Sequence, residues 1–132
     1  MSAIELFEKI RKDGFQIYRM EWTYETIVAY AERTGGASSD AVRVQGGSGA
    51  SFEDKVADFV DLREAIDRLR TDYEANLQKA EKILQKCENQ EAATLLRLHY
   101  ISRLSWEEVA DFAHFSVRHT RRLAKEELRK LE

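Results

Sequence analysis

The stretch SVRHTRRLAKEELRK, Ser116 to Lys130, holds six Lys or Arg residues and two acids, in a chain of 132 residues whose net charge is −3. On a helical wheel of about 100° per residue, Arg121, Arg122, Lys125 and Arg129 fall within about 60° of Arg118. The opposite arc carries Val117, Thr120, Leu123, Ala124, Leu128 and Leu131. One face is suited to packing; the other is nearly pure cation. Ser116 reads as the helix cap. Arg118 and His119 then occupy the first turn, where the helix dipole disfavours cations by a few tenths to about 1 kcal/mol. Cations at a helix N-terminus suit phosphate contact, and Arg side chains also reach guanine edges in a major groove. A charged helix face is ordinarily just solvated. Five cations without interleaved acids, on the second helix of a helix-turn-helix length pattern, favour nucleic acid instead.

Other chemistry is thin. His99, His114 and His119 lack companions at metal-ligand spacing, and Cys87 stands alone, so neither a metal site nor an internal disulfide is expected. Glu107 and Glu108 resemble a catalytic carboxylate pair, but their first-turn position gives them a capping role. GGSGASFEDK lacks the Gly-Lys-Ser/Thr ending of a phosphate loop and the spacing of a dinucleotide fingerprint. No nucleophile motif is present, so no enzymatic activity and no cofactor are expected.

The elements that would position the basic face read as helices throughout. Hydrophobic content of 43%, charged content of 34% and the absence of proline suit a helix-rich protein. No uncharged apolar run approaches the ~18 residues of a membrane span. The N-terminus mixes acids and bases unlike a signal peptide, and a lone cysteine fits a reducing compartment, so the expected location is cytoplasmic. Residues 1–88 carry 13 basic and 17 acidic side chains, against 8 and 7 in 89–132. Bulk charge therefore does not point to nucleic acid; its placement does.

Residues 1–34 form the first segment. Ala3, Leu6, Ile10, Ile17, Met20, Tyr24, Ile27 and Ala31 recur at three- and four-residue steps, with Asp13 in the one polar slot, as in a long amphipathic helix. Ser2 and Glu5 make a capping box, Gly35-Gly36 a stop, and Gly14 a weak point expected to divide the helix. Phe15, Tyr18 and Trp22 make a second apolar stripe. Residues 35–50 are Gly/Ser-rich and read as a mobile linker, with Val42-Arg43-Val44 as a short extended stretch. The second long helix, within 51–88, starts at a Ser51–Asp54 cap. Its seam is Phe52, Val56, Phe59, Ile66, Tyr73, Leu77, Ala80, Leu84 and Cys87, with Arg63 and Arg70 in seam slots. Two helices of similar length predict an antiparallel, coiled-coil-like hairpin. Its doubled stripes predict a homodimer or higher oligomer through the long helices.

Residues 89–132 complete the chain. A helix over Gln90–Ile101 precedes Ser105-Trp106-Glu107-Glu108, a capping box. The helix it starts ends near Phe112, the turn Ala113-His114-Phe115 follows, and Ser116 caps the last helix. Ala110 allows close approach, while Val109, Phe115 and Leu123 fill the space between the two helices. His114 sits where such turns need positive φ, and His is enriched there.

LLRLHYISRLSWEEVADFAHFSVRHTRRLAKEELRKL, Leu95 to Leu131, resembles region 4 of the sigma-70 transcription initiation factors. It is closer still to the ArpU/RinA-type late transcription regulators of phages in Gram-positive bacteria, a likeness that extends more loosely over Val42–Leu62. The resemblance implies a helix in the major groove of double-stranded DNA, with RNA polymerase as a further partner. Arg118 and Arg122 match positions that read bases. Val117 matches one commonly basic in housekeeping sigma factors, so a different preferred sequence is implied. Thr120 replaces a usual aliphatic residue. Ser116, His119, Arg121, Lys125 and Arg129 lie beside the readers and are expected on phosphates. The resemblance does not extend to the promoter-melting region 2, so an autonomous sigma factor is not expected. The expectation is an all-α protein, a long helical hairpin with a C-terminal helix-turn-helix, acting in transcription regulation. Alternatives are a protein-interaction module that binds RNA polymerase or another regulator, and a phage terminase small subunit.

Overall fold

The computed structural model describes residues 1–34 and 52–132; for Thr34 and residues 52–56 it describes the backbone alone. The expected linker, its extended stretch and the Ser51–Asp54 cap lie outside the described residues. The fold is all-α. Among the described residues there are five α-helices, α1 (Ala3–Thr34), α2 (Phe52–Gln85), α3 (Gln90–Leu96), α4 (Trp106–Ala113) and α5 (Val117–Lys130), and no strand. Arg97–Ile101 continues α3 as a π-helical turn.

Local sequence sets most of the boundaries. Glu5 N–H donates to Ser2 Oγ (3.2 Å) and Ser2 N–H to Glu5 Oε2 (3.3 Å), the expected capping box. Ser105 and Glu108 exchange the same two bonds, each 3.2 Å, at α4. Asn89, passed over in the sequence, caps α3 through Ala92 N–H (3.1 Å). His114 adopts φ 59°, as its place in the turn requires.

Three expectations are corrected. Gly14 does not divide α1, which runs through it unbroken. Its missing Cβ makes room for another residue: a Cβ there would lie 3.0 Å from Arg103 Nη1 and 3.1 Å from Arg103 Cδ. The second long helix stops at Gln85 and not at residue 88, so Cys87 lies in the turn before α3. The helix expected to Ile101 is α-helical only to Leu96. The wider π turn inserts one residue into the repeat, and both His99 and Tyr100 become buried.

The chain divides into two compact units. The first comprises Met1–Gln16 and Thr71–Glu132. Its core joins Leu6, Phe7 and Ile10 of α1, Ala80 and Leu84 of α2, Leu95 and Leu96 of α3, Val109 of α4, and Ala124 and Leu128 of α5. Phe7 meets Tyr100 edge-on, with centroids 5.6 Å apart. Asp13, in the polar slot of the seam, is buried and paired with Lys9 at 2.8 Å. The N-terminal turns of α1 are thus part of the core beneath α4 and α5.

The second unit, Ile17–Arg70, contains segments of α1 and α2 that run antiparallel. Tyr24 stacks on Phe59 at 4.4 Å, and Glu21 pairs with Arg70. Arg63 lies over the Tyr24 ring, 5.4 Å from its centroid. The two arginines in seam slots are therefore held by an acid and an aromatic face. Ile17 and Ile66 are buried, whereas Ile27 and Ala31, expected in the same seam, are exposed. Two helices alone leave the flanks of their contact open to water.

Phe7 is fully buried where α1 meets the C-terminal helices. Phe7→Ala should lower stability by about 3–5 kcal/mol, measured by urea unfolding of the full chain.

Candidate nucleic-acid interface

The basic face is held by the packing of α5 on its opposite side. Thr120, Ala124 and Leu128 are fully buried, and Leu123 and Leu131 are half-buried. Thr120 tolerates its apolar place because its hydroxyl donates to Ser116 C=O at 2.9 Å. Ser116 Oγ accepts His119 N–H at 3.1 Å and caps the helix as expected. The turn before it is closed by Phe115 N–H donating to Ala110 C=O at 3.1 Å. Small Ala110 and Ala124, both buried, line the core at this level.

Arg118, Arg121, Arg122, Lys125 and Arg129 are all exposed, and none forms an ion pair among the described residues. Val117 is half-buried at the edge of the stripe. Arg122 Nη2 donates to His119 Nδ1 at 3.1 Å, and the His119 ring stands edge-on to Phe115 at 4.8 Å. The structure brings His119 and Arg122 together, with the imidazole steadying the guanidinium. Arg121 lies at the edge of the stripe towards the π turn, close enough for its charge to act on His99 and Tyr100.

Sequence reasoning missed Glu127. It lies about 180° from Arg118 on the wheel, at the centre of the packing arc, and it is buried. Its charge acts on the Cys87 thiol, which itself donates to Ile83 C=O at 3.9 Å. Burial first, and then Glu127, push that thiol above its ordinary value. An acid at the centre of an otherwise apolar arc was the available signal, since that arc is the one that faces the core.

Behind α4 and α5 sits a second missed cluster. His99 stacks on Trp106, centroids 3.7 Å apart, and its Nδ1–H donates to Leu104 C=O at 2.8 Å. Arg11 Nη1 donates to His99 C=O (2.6 Å) and Leu104 C=O (3.2 Å). Burial pulls the Arg11 guanidinium down from its ordinary value. Burial, and then the charge of Arg11, hold His99 neutral with a pKa of about 4. This histidine is a packed aromatic. Among the described residues no group of His, Cys, Asp or Glu is arranged to hold a metal, and no helix is long and apolar enough to cross a membrane.

Fold and surface together define an all-α protein in which α5 carries a cationic face that forms no ion pair among the described residues. The family described as "Protein of unknown function (DUF1492)" matches residues 34–132, and the chain belongs to that family. No curated protein and no solved structure matches it.

The pKa of His99 fixes a pH dependence. Between pH 6.5 and about 4 the unfolded chain takes up a proton at His99 that the folded chain refuses. This contribution to stability is therefore complete above pH 6.5 and is lost as the pH falls through that window. The slope reaches at most about 1.4 kcal/mol per pH unit. Denaturant unfolding of wild type and His99→Asn across pH 4–7 should differ by this slope, and the variant should be the flatter.

Proposed function

We propose that the chain is a sequence-specific double-stranded-DNA-binding transcription regulator of phage or prophage origin, acting in the cytoplasm as a helix-turn-helix protein. The observation that carries the reading is the exposed stripe Arg118–Arg122–Lys125–Arg129 on α5, free of acidic partners among the described residues and backed by buried Ala124 and Leu128 of the core. In this reading α5 enters the major groove. Arg118 and Arg122 meet base edges, with Val117 at the margin for an apolar contact such as a thymine methyl. Ser116, whose capping bond leaves its hydroxyl hydrogen to donate, and Arg121, Lys125 and Arg129 meet phosphates. His119 joins them through Nε2, since its Nδ1 is taken by Arg122.

The exposed Phe112 on α4 favours a second reading, a protein-interaction module in which RNA polymerase or another regulator covers that ring. A terminase small subunit would share the DNA contacts and form rings.

The test is affinity for selected and scrambled duplexes across a salt series. Arg118→Ala and Arg122→Ala should each cost about 1–3 kcal/mol on the selected site and relax its sequence. Removing Lys125 or Arg129 should weaken all duplexes alike and reduce the salt slope by about one unit. If wild type prefers no duplex, and the Arg variants change polymerase binding alone, the interaction module takes its place.

A further inference from the structure

The described residues of the second compact unit, Ile17–Arg70, bury little core for the surface they present. Among its described residues, Ile17 and Ile66 are the buried hydrophobic side chains, while Tyr18, Trp22, Ile27 and Val60 are exposed. Two helices form one layer, and a stable arrangement needs another layer against it. Tyr18 and Trp22 are each 62% exposed and one turn apart on α1, pointing away from the Tyr24 side that packs on Phe59.

We infer that this aromatic face is where a second copy of the chain docks, so that the two Ile17–Arg70 hairpins make a four-helix assembly. The inference goes beyond the DNA-binding reading and does not rest on it. Three observations favour a second copy as the occupant.

The first is area. Large aromatics present about 150–250 Å² each, so two copies meeting here withdraw about 500 Å² of aromatic surface. That is near a third of the ~1,600 Å² in a standard interface, the share expected of its central anchors.

The second is charge. Arg19 and Glu25 are exposed on opposite flanks of the Tyr18–Trp22 stripe, roughly 80° to one side and 40° to the other. A two-fold axis along α1 therefore sets the basic flank of each copy against the acidic flank of the other. Arg19 and Glu25 are separated by about 9 Å along the helix, within the reach of two extended side chains. The symmetry makes this pair twice.

The third is layer count. The described residues of the unit make one layer of two helices, and a second copy supplies two helices of the same length and pattern.

The experiment is sedimentation equilibrium of the full chain without DNA, over about 1–100 µM, where a specific dimer dissociates measurably. Wild type should reach twice the monomer mass. The double variant Tyr18→Ser/Trp22→Glu, whose replaced side chains are exposed, should keep its helical circular dichroism and dissociate at least tenfold more readily. Arg19→Glu should weaken the dimer, and Arg19→Glu with Glu25→Arg should restore it. A monomer throughout the range overturns the inference, whether residues 35–51 or a different protein covers the face. A mass above two copies overturns it, and so does a Tyr18/Trp22 variant that dimerises as well as wild type.

Discussion

Two backbone carbonyls at one corner govern the arrangement of the C-terminal helices. Where the π turn ends and the chain bends into α4, the C=O groups of His99 and Leu104 point inward, and a buried carbonyl without a donor is costly. Arg11, from the far end of the sequence, donates to both. The His99 ring adds a second donor to Leu104 C=O. Arg103, at φ 64°, crosses back over α1. Its guanidinium lies 5.8 Å from the centroid of Phe15, a ring that Arg11 also approaches at 4.9 Å. The start of α4, and with it the platform for α5, is therefore set by a side chain of α1. The family match begins at residue 34, yet in this chain Arg11, which closes the corner, and Leu6, Phe7 and Ile10, which fill part of the core, precede it.

Features governed by a few neighbouring residues were legible in the sequence. The Ser2, Ser105 and Ser116 caps, the left-handed His114 and the two faces of α5 follow from local hydrogen bonding, sterics and a 3.6-residue period. Features that depend on distant partners were not. Nothing near Gly14 announces that Arg103 needs the space above it, so the glycine read as a helix weakness. The π turn has no local signature: it is held by the stack of His99 on Trp106 and by the bonds of Leu104, all formed after the chain turns back. Ile27 and Ala31 fit the period of the first seam, but periodicity alone does not say whether a neighbour is present at that level. In the candidate site, the stripe of cations was readable. The tether between His119 and Arg122 depends on rotamers, which spacing does not fix.

Charge in this molecule is sorted by position more than by amount. The stripe on α5 is free of acids, Glu127 is withdrawn to the opposite side of the same helix, and acids outnumber bases over residues 1–88. A field of this kind orients the molecule towards a polyanion by attracting one face and repelling the rest, without strong attraction overall. For a DNA reader, that arrangement would suppress indiscriminate adhesion while leaving the productive approach open.

Cys87 gives the C-terminal core a chemical clock. Its thiol is buried between α2 and α3, bonded to Ile83 C=O, and kept protonated by burial and by the charge of Glu127. Thiolate is the reactive form, so electrophiles in solution meet an inert group while the core is closed. Labelling of this one cysteine proceeds at the rate, or in proportion to the population, of openings that expose it. The chain therefore records how often the core around Cys87 opens in a single covalent mass shift, with no introduced probe.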